Sequence, residues 1–392
     1  MSPTYDVAVL GLGAMGSAAA WQLARRGARV LGIDRHAPPH EFGSTHGDTR
    51  VTRIACGEGP EYSAFVRRSH EIWRALEAEL GVELLTQNGM LVISGKGERA
   101  LSHGIDAFLA ATVDAARQAG VEYTLLDTAA MRARFPAFRF SDGDEGYLDR
   151  VSGFVRPELC IEVQLRRARE LGAELHVNET VTSFRQKDGL VSVTTDKGTY
   201  QAKQLIVSAG PWLPQLLEPE LARTFKITRQ VLYWFRARDA AAHARFSPDR
   251  FPVYIWQVPA PQVIYGFPAT GGIDEGVKIA SEQYELETTP ETVDRTASKQ
   301  EIREMYETYV GPFLPGLSPV CIKSKICLYT WVDGARFIID RHPEHDRIII
   351  ASPCSGHGFK HSAGIGELLA QMALGETHRD ISMFRFDTRI RA

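Results

Sequence analysis

Apolar positions fall into two rhythms along this chain, and the first forty residues show both. Tyr5-Asp6-Val7-Ala8-Val9-Leu10 has the composition of a short buried strand. Gly11-Leu12-Gly13-Ala14-Met15-Gly16 follows at once, and residues 17–26 are rich in helix formers up to Gly27, placed where a C-cap belongs. Val30-Leu31-Gly32-Ile33 is a second apolar strand closed by Asp34. Further on, Phe65, Ile72, Trp73, Leu76 and Leu80 recur at helical spacing and predict a core-facing helix over 61–80. Residues 84–87 and 90–93 flank Asn88-Gly89, which predicts a hairpin. Helices are expected at 108–118, 159–171, 292–309 and 363–374. Strands are expected at 174–177, 184–185, 191–195, 204–207, 230–235, 253–257, 263–267 and 347–351.

This order predicts a mixed α/β (α+β) fold without internal repeats. A Rossmann-like nucleotide-binding domain would be assembled from residues 1–85, 151–220 and 326–392. A mostly antiparallel substrate domain, 86–150 and 221–325, would be interleaved with it. Interleaving of this kind commonly puts a site between the two parts.

Composition narrows the function classes. The chain has 392 residues, 44% hydrophobic and 24% charged, as expected for a globular protein with a large core. Lys plus Arg number 45 against 48 Asp plus Glu, a near balance that leaves no basic footprint for nucleic acid or anionic membranes. The five cysteines, Cys56, Cys160, Cys321, Cys327 and Cys354, are scattered and contain no CxxC pair, so no disulfide framework or metal centre is expected. The longest apolar run, 7–21, is broken by glycines and is shorter than the roughly 18 residues of a spanning helix. No signal peptide precedes it, and Arg389-Ile390-Arg391-Ala392 is not a peroxisomal address, so a cytoplasmic location is expected.

The strand, glycines, helix, strand and acid of residues 5–34 form a dinucleotide fingerprint in its proper context. Gly11 permits the tight turn, Gly13 admits a pyrophosphate to the backbone, and Gly16 lets helix and strand approach. The helix N-terminus offers free N–H groups and partial positive charge to phosphate. Asp34, about 20 residues on, can accept from both hydroxyls of a ribose. That favours a free 2′-hydroxyl over a 2′-phosphate, and leaves NAD and FAD both open.

Three other stretches carry candidate chemistry. His46, Arg50 and Arg53 lie within Gly43-Ser44-Thr45-His46-Gly47-Asp48-Thr49-Arg50-Val51-Thr52-Arg53, a dense supply of cationic donors. Arginine suits two-point capture of a carboxylate, although a solvated basic loop is the commoner outcome for such charge. Ser355-Gly356-His357-Gly358-Phe359-Lys360 turns a strand into a helix, so its backbone N–H groups and Lys360 would face one crevice. Cys327 stands in an apolar strand, where a lone cysteine is usually core.

Taken in order, GLGAMG with Asp34, GSTHGDTRVTR, Tyr265-Gly266-Phe267-Pro268-Ala269, ICLYT, FIID with RHPEH at 337–345, and SGHGFK resemble the monomeric sarcosine oxidase and N-methyltryptophan oxidase family, within the D-amino-acid oxidase superfamily. The resemblance covers nearly the whole chain. It implies a monomeric FAD-dependent oxidase of secondary amino acids that forms an imine and returns the electrons to O2 as H2O2. Cys327 would carry the flavin as a thioether. Arg53 and Lys360 would bind the substrate carboxylate, Lys278 would activate oxygen, His46 and Arg50 would stand beside the flavin, and Tyr265 would line the pocket. The cofactor would lie on Gly11, Gly13, Met15, Gly16, Asp34, Arg35, Ser44, Thr45, Val181, Gly356, Gly358, Phe359 and Lys360. Glu282 departs from the family, which often has a histidine there. An acid at that place disfavours anionic substrates and favours an added cationic group. With the slightly longer loop 271–276, it points to a bulkier N-methyl or cyclic amino acid rather than sarcosine. GLGAMG and an Ala-rich helix alone also resemble NAD-dependent β-hydroxyacid dehydrogenases, and a non-catalytic flavin-binding sensor would need the glycines but not Arg53, Lys360 or Lys278.

Overall fold

A computed structural model describes residues 4–95 and 101–386; the C-terminal tetrapeptide read above lies outside the described residues. The first strand, β1 (Thr4–Leu10), runs parallel between β2 (Val30–Asp34) and Thr199–Val207. Val7, Val9, Val30 and Leu31 are fully buried, so this run is apolar on both faces, as a central parallel strand must be. Glu174–Val177 extends the sheet beyond β2, and His345–Ser352 pairs in parallel with the end of Thr199–Val207. Between β1 and β2 lies helix α1 (Ala14–Ala24), whose alanines let it pack tightly on Pro157–Glu170 and Ser362–Leu374. A Cβ on Gly366 would lie 2.3 Å from that of Ala18, so the pairing requires glycine.

The second sheet has the order Leu317–Trp331, Lys226–Ala237, Val277–Ser281, Ile264–Gly266, Val253–Trp256, Met90–Ser94, Glu145–Asp149, Tyr123–Leu126. All neighbours are antiparallel except Val253–Trp256 with Met90–Ser94. Register puts Cys327 opposite Gln230 and Lys278 opposite Trp234, and both side chains reach the 43–50 loop, at Ser44 O and Gly47 O. A small sheet of Arg50–Thr52, Gly153–Val155 and Leu85–Thr86 links the two.

Two expectations fail here. Leu85–Thr86 and Met90–Ser94 do not form a hairpin, because the first pairs with Gly153–Val155 and the second with Val253–Trp256 and Glu145–Asp149. Asn88-Gly89 is the crossing between sheets: Asn88 Nδ2 donates to Phe251 O at 2.9 Å, and Gly89 N–H to Ser152 O at 2.9 Å. The helix expected over 292–309 is regular only at Lys299–Glu304 and continues as a wider π turn, Met305–Val310. Before it, Arg229 from the adjacent strand donates to Asp294 O (2.8 Å) and Thr296 O (2.9 Å), taking carbonyls that a helix would use. Ser298 then starts the helix with a capping box to Glu301.

Candidate active site

A cavity of about 440 Å³ opens over the β1–α1 turn. It is lined by Gly11, Gly13, Met15, Asp34, Arg35, Ser44, Thr45, Arg50, Val181, Gly356, Gly358 and Phe359 from the expected set. Gly16 lies behind the wall, where a Cβ would stand 1.7 Å from Gly11 O. Gly13 caps α1 with no side-chain bond, and the space a Cβ would occupy there is open. The helix N-terminus therefore faces the cavity with its N–H groups uncapped by any side chain. Asp34, 7% exposed, accepts from Leu12 N–H (2.7 Å) and His36 N–H (2.8 Å), so it locks the turn as well as lining the cavity. Burial pushes its pKa up, and those two N–H bonds oppose the shift. On the far wall Ser352 Oγ is buried with no hydrogen-bond partner among the described residues. A dinucleotide fits these features: an anion site at the helix end, a buried acid at the ribose position, and an unpaired hydroxyl.

A second pocket of about 60 Å³ adjoins the first through Arg50, Tyr329, Gly356 and Phe359, which line both. It is bounded by Arg53, Lys360, Tyr265, Glu282 and Cys327 from the expected set. Arg53 is 2% exposed, and its Nη2 meets Glu58 Oε1 at 2.7 Å. Lys360 Nζ lies 3.6 Å from the same oxygen and donates to His357 O at 2.8 Å. Burial opposes ionisation of Glu58, but Arg53, Lys360, His357 and His103 outweigh it and hold the carboxyl well below its usual range. Glu58 was not legible as a site residue, although an acid between two glycines, Gly57 and Gly59, five positions beyond Arg53 was the available signal. His103 and His357 were missed too.

Cys327, 1% exposed, lies at the junction, with Sγ 3.2 Å from Ser44 O and 3.5 Å from Arg50 Nη2. Burial raises the thiol pKa, and the positive charges of Arg50 and Lys278 pull it back. Arg50 also donates to Ser44 O (2.8 Å) and Thr49 O (2.9 Å), so the 43–50 loop is folded onto the site rather than solvated. Glu158, another residue the sequence did not single out, accepts the N–H groups of Gly47 and Asp48 from the same loop.

Lys278 and His46 line neither pocket; both sit one layer behind. Lys278 Nζ donates to Gly47 O (2.6 Å), Thr49 O (2.8 Å) and Thr49 Oγ1 (3.3 Å), between the faces of Phe267 and Trp234. Burial and Arg50 drive its pKa well down, against the opposing charges of Glu158, Asp48 and Cys327. His46 is pushed down to about 3 by burial and by Arg50 and Lys278, so its ring stays neutral. Tyr265 Oη is 3.4 Å from Tyr329 Oη, and burial lifts its pKa to about 12.

A family model described as FAD dependent oxidoreductase matches residues 6–372. A monomeric sarcosine oxidase of Streptomyces avermitilis is 38% identical over 386 residues, 98% of this chain and 97% of the relative. An N-methyl-L-tryptophan oxidase of Salmonella heidelberg is 34% identical, covering 97% of this chain and 98% of its own. Among solved structures, the open form of NikD, an unusual amino acid oxidase essential for nikkomycin biosynthesis, superposes with a TM-score of 0.83 at 26% identity, covering 98% of each chain.

Proposed function

The chain belongs to the FAD-dependent oxidoreductase family, and from that premise we propose that it oxidises secondary amino acids, N-methyl or cyclic, to imines, with O2 reduced to H2O2. The observation that carries this reading is the junction of the pockets. A cavity suited to a dinucleotide meets, across Arg50, Tyr329, Gly356 and Phe359, a small pocket walled by Arg53, Lys360 and Cys327. The NAD-dependent dehydrogenase alternative finds no support, since the 226–331 region is an antiparallel sheet and the family match runs almost end to end.

FAD, when bound, supplies two-electron oxidation of the C–N bond and passes the electrons to dioxygen. The substrate carbon and nitrogen together give up two electrons and two protons, water hydrolyses the imine, and dioxygen leaves as hydrogen peroxide. The chain's part is positioning and charge. Arg53 and Lys360 exchange Glu58 for the substrate carboxylate, which fixes the reacting C–H bond. Leu232, Ile255 and Phe267 form dry walls. Arg50 puts a half-buried positive charge at the junction, suited to negative charge developing during turnover, and Lys278 stands one layer behind it as a donor to Gly47 O and Thr49 O. His46 fills the space beside them as a neutral ring.

Cys327 carries the flavin as a thioether in this reading. A buried, free thiol at the pocket junction supports it. The protein acts as a cytoplasmic monomer; its five free cysteines fit a reducing compartment, and no helix among the described residues is long and apolar enough to cross a membrane. In this reading the FAD-binding domain draws on 1–85, 151–220 and the chain after strand Leu317–Trp331, which pairs along its length with Lys226–Ala237 in the second sheet and so moves the boundary expected at 326 to its end; 86–150 and 221–331 supply the substrate domain. Acid precipitation tests the cofactor linkage: yellow colour stays in the pellet and moves to the supernatant in Cys327→Ser. Peroxide release across a panel of secondary amines tests the activity, and no release from any of them would overturn it.

A further inference from the structure

Glu282 is a carboxylate in an unusual position. It is 6% exposed and lines the small pocket, yet among the described residues His103 is its one ion-pair neighbour. Its Oε2 accepts from Tyr284 Oη (2.8 Å) and Ser102 Oγ (3.4 Å), both neutral. Its Oε1 faces His103 Nε2 at 3.6 Å, beyond hydrogen-bond distance, and that buried nitrogen has no hydrogen-bond partner among the described residues. His103 is shared, since its Nδ1 lies 3.5 Å from Glu58. The permanent cations of the pocket are committed elsewhere: Arg53 to Glu58 and Ala55 O, Arg50 to Ser44 O and Thr49 O. Arg53 is near enough to feel the Glu282 charge but is bonded to Glu58 and Ala55 O; a carboxylate buried without a bonded cation is expensive, and the cost is recovered when one arrives.

The pocket is therefore polarised. Arg53 and Lys360 stand at one end, Glu282 at the other, and one imidazole spans the distance from Glu58 to Glu282. We infer that Glu282, supported by Tyr284 and Ser102, selects substrates with a second cationic group: amino acids carrying a secondary α-amine and, three or four carbons along the side chain, a primary ammonium or guanidinium. The inference rests on the proposed amine oxidation at the same site. Substrate charge then matches the pocket at both ends, carboxylate on Arg53 and Lys360 and side-chain cation on Glu282 Oε1.

The test compares peroxide release from racemic Nα-methyl-lysine and racemic Nα-methyl-norleucine, which differ in the terminal ammonium. The native holoenzyme prefers the lysine compound in kcat/KM by on the order of 30- to 100-fold, the worth of a charged hydrogen bond in a dry site. In Glu282→Gln that ratio collapses toward one; in Tyr284→Phe, which keeps the acid but loosens it, the ratio falls a few-fold, chiefly through KM. Equal rates on the two compounds in the native enzyme would overturn the selectivity while leaving the oxidase reading intact, and this arm needs no variant to fold. A Glu282→Gln enzyme that loses activity equally on both would assign the carboxylate to the reacting amine and likewise overturn the inference. Peroxide from neither compound nor from any other secondary amine would remove the reading on which it rests.

Discussion

Glu58 occupies Arg53 and Lys360, the donors that the proposed reading gives to a substrate carboxylate, so on that reading one side chain sets both a stability term and a binding term. Glu58→Gln leaves Arg53 and Lys360 buried without a counter-charge, which costs about 3–5 kcal/mol by analogy with other broken buried pairs. The same change removes the competitor for the carboxylate site. We expect a lower melting temperature together with a KM reduced several-fold, read from thermal melts and peroxide kinetics on one preparation; a raised KM would show that Glu58 helps hold substrate. Arg53→Met removes the clamp itself and should raise KM by about 10²-fold or more, the scale of a lost charge-assisted contact. Single residues of this kind were unevenly legible. Arg53, Lys360 and Cys327 stood out through their motifs, whereas Glu58, His103 and Glu158 act across the fold, with partners up to 302 residues away, and only Glu58, flanked by two glycines, carried any local signal.

Elements were legible where burial is one-sided or complete. The β1–α1–β2 opening, the helix Ser63–Leu80 and the final helix Ser362–Leu374 all form close to where periodicity placed them. Asn88-Gly89 misled because a two-residue turn signal cannot say which strands will pair, and here the partners come from residues 145–155 and 253–256. The helix over 292–309 failed in its first part because the Arg229 side chain, remote in sequence, claims its carbonyls. The turn after strand His345–Ser352 offers a test at this scale. A Cβ on Gly358 would stand 1.9 Å from Pro353 O, so Gly358→Ala must shift backbone that walls the larger cavity. The variant should purify with a lower ratio of flavin to protein absorbance than the native chain and with reduced peroxide output. An unchanged ratio would mean that this turn does not shape the cofactor wall.

At the scale of the molecule, two sheets share one core, and that core buries histidines as well as hydrocarbon. Val9, Trp21 and Ile255, from the first sheet, α1 and the second sheet, belong to a single apolar cluster. Against it lies His70, 8% exposed, hydrogen-bonded to Thr52 Oγ1 at 2.6 Å and packed on Trp73. Burial and the nearby Arg74 and Arg67 lower its pKa from 6.5 to about 4. His40 is likewise lowered to about 4, and His46 to about 3. Each ring is neutral when folded and takes a proton when unfolded at mildly acidic pH. Their contribution is therefore complete above pH 6.5 and is lost as pH falls through the folded values. At about 1.4 kcal/mol per pKa unit, each accounts for on the order of 3 kcal/mol across that window. Asp34 and Asp149, raised by burial, act in the opposite sense and offset part of the loss. Urea unfolding should show stability declining from pH 7 toward pH 5. In His70→Gln the slope of that decline should be shallower by about one proton, because the glutamine cannot take up a charge on unfolding. Parallel curves for the two proteins would mean that His70 titrates alike in both states and that its burial is not what the acid side of the stability profile reports.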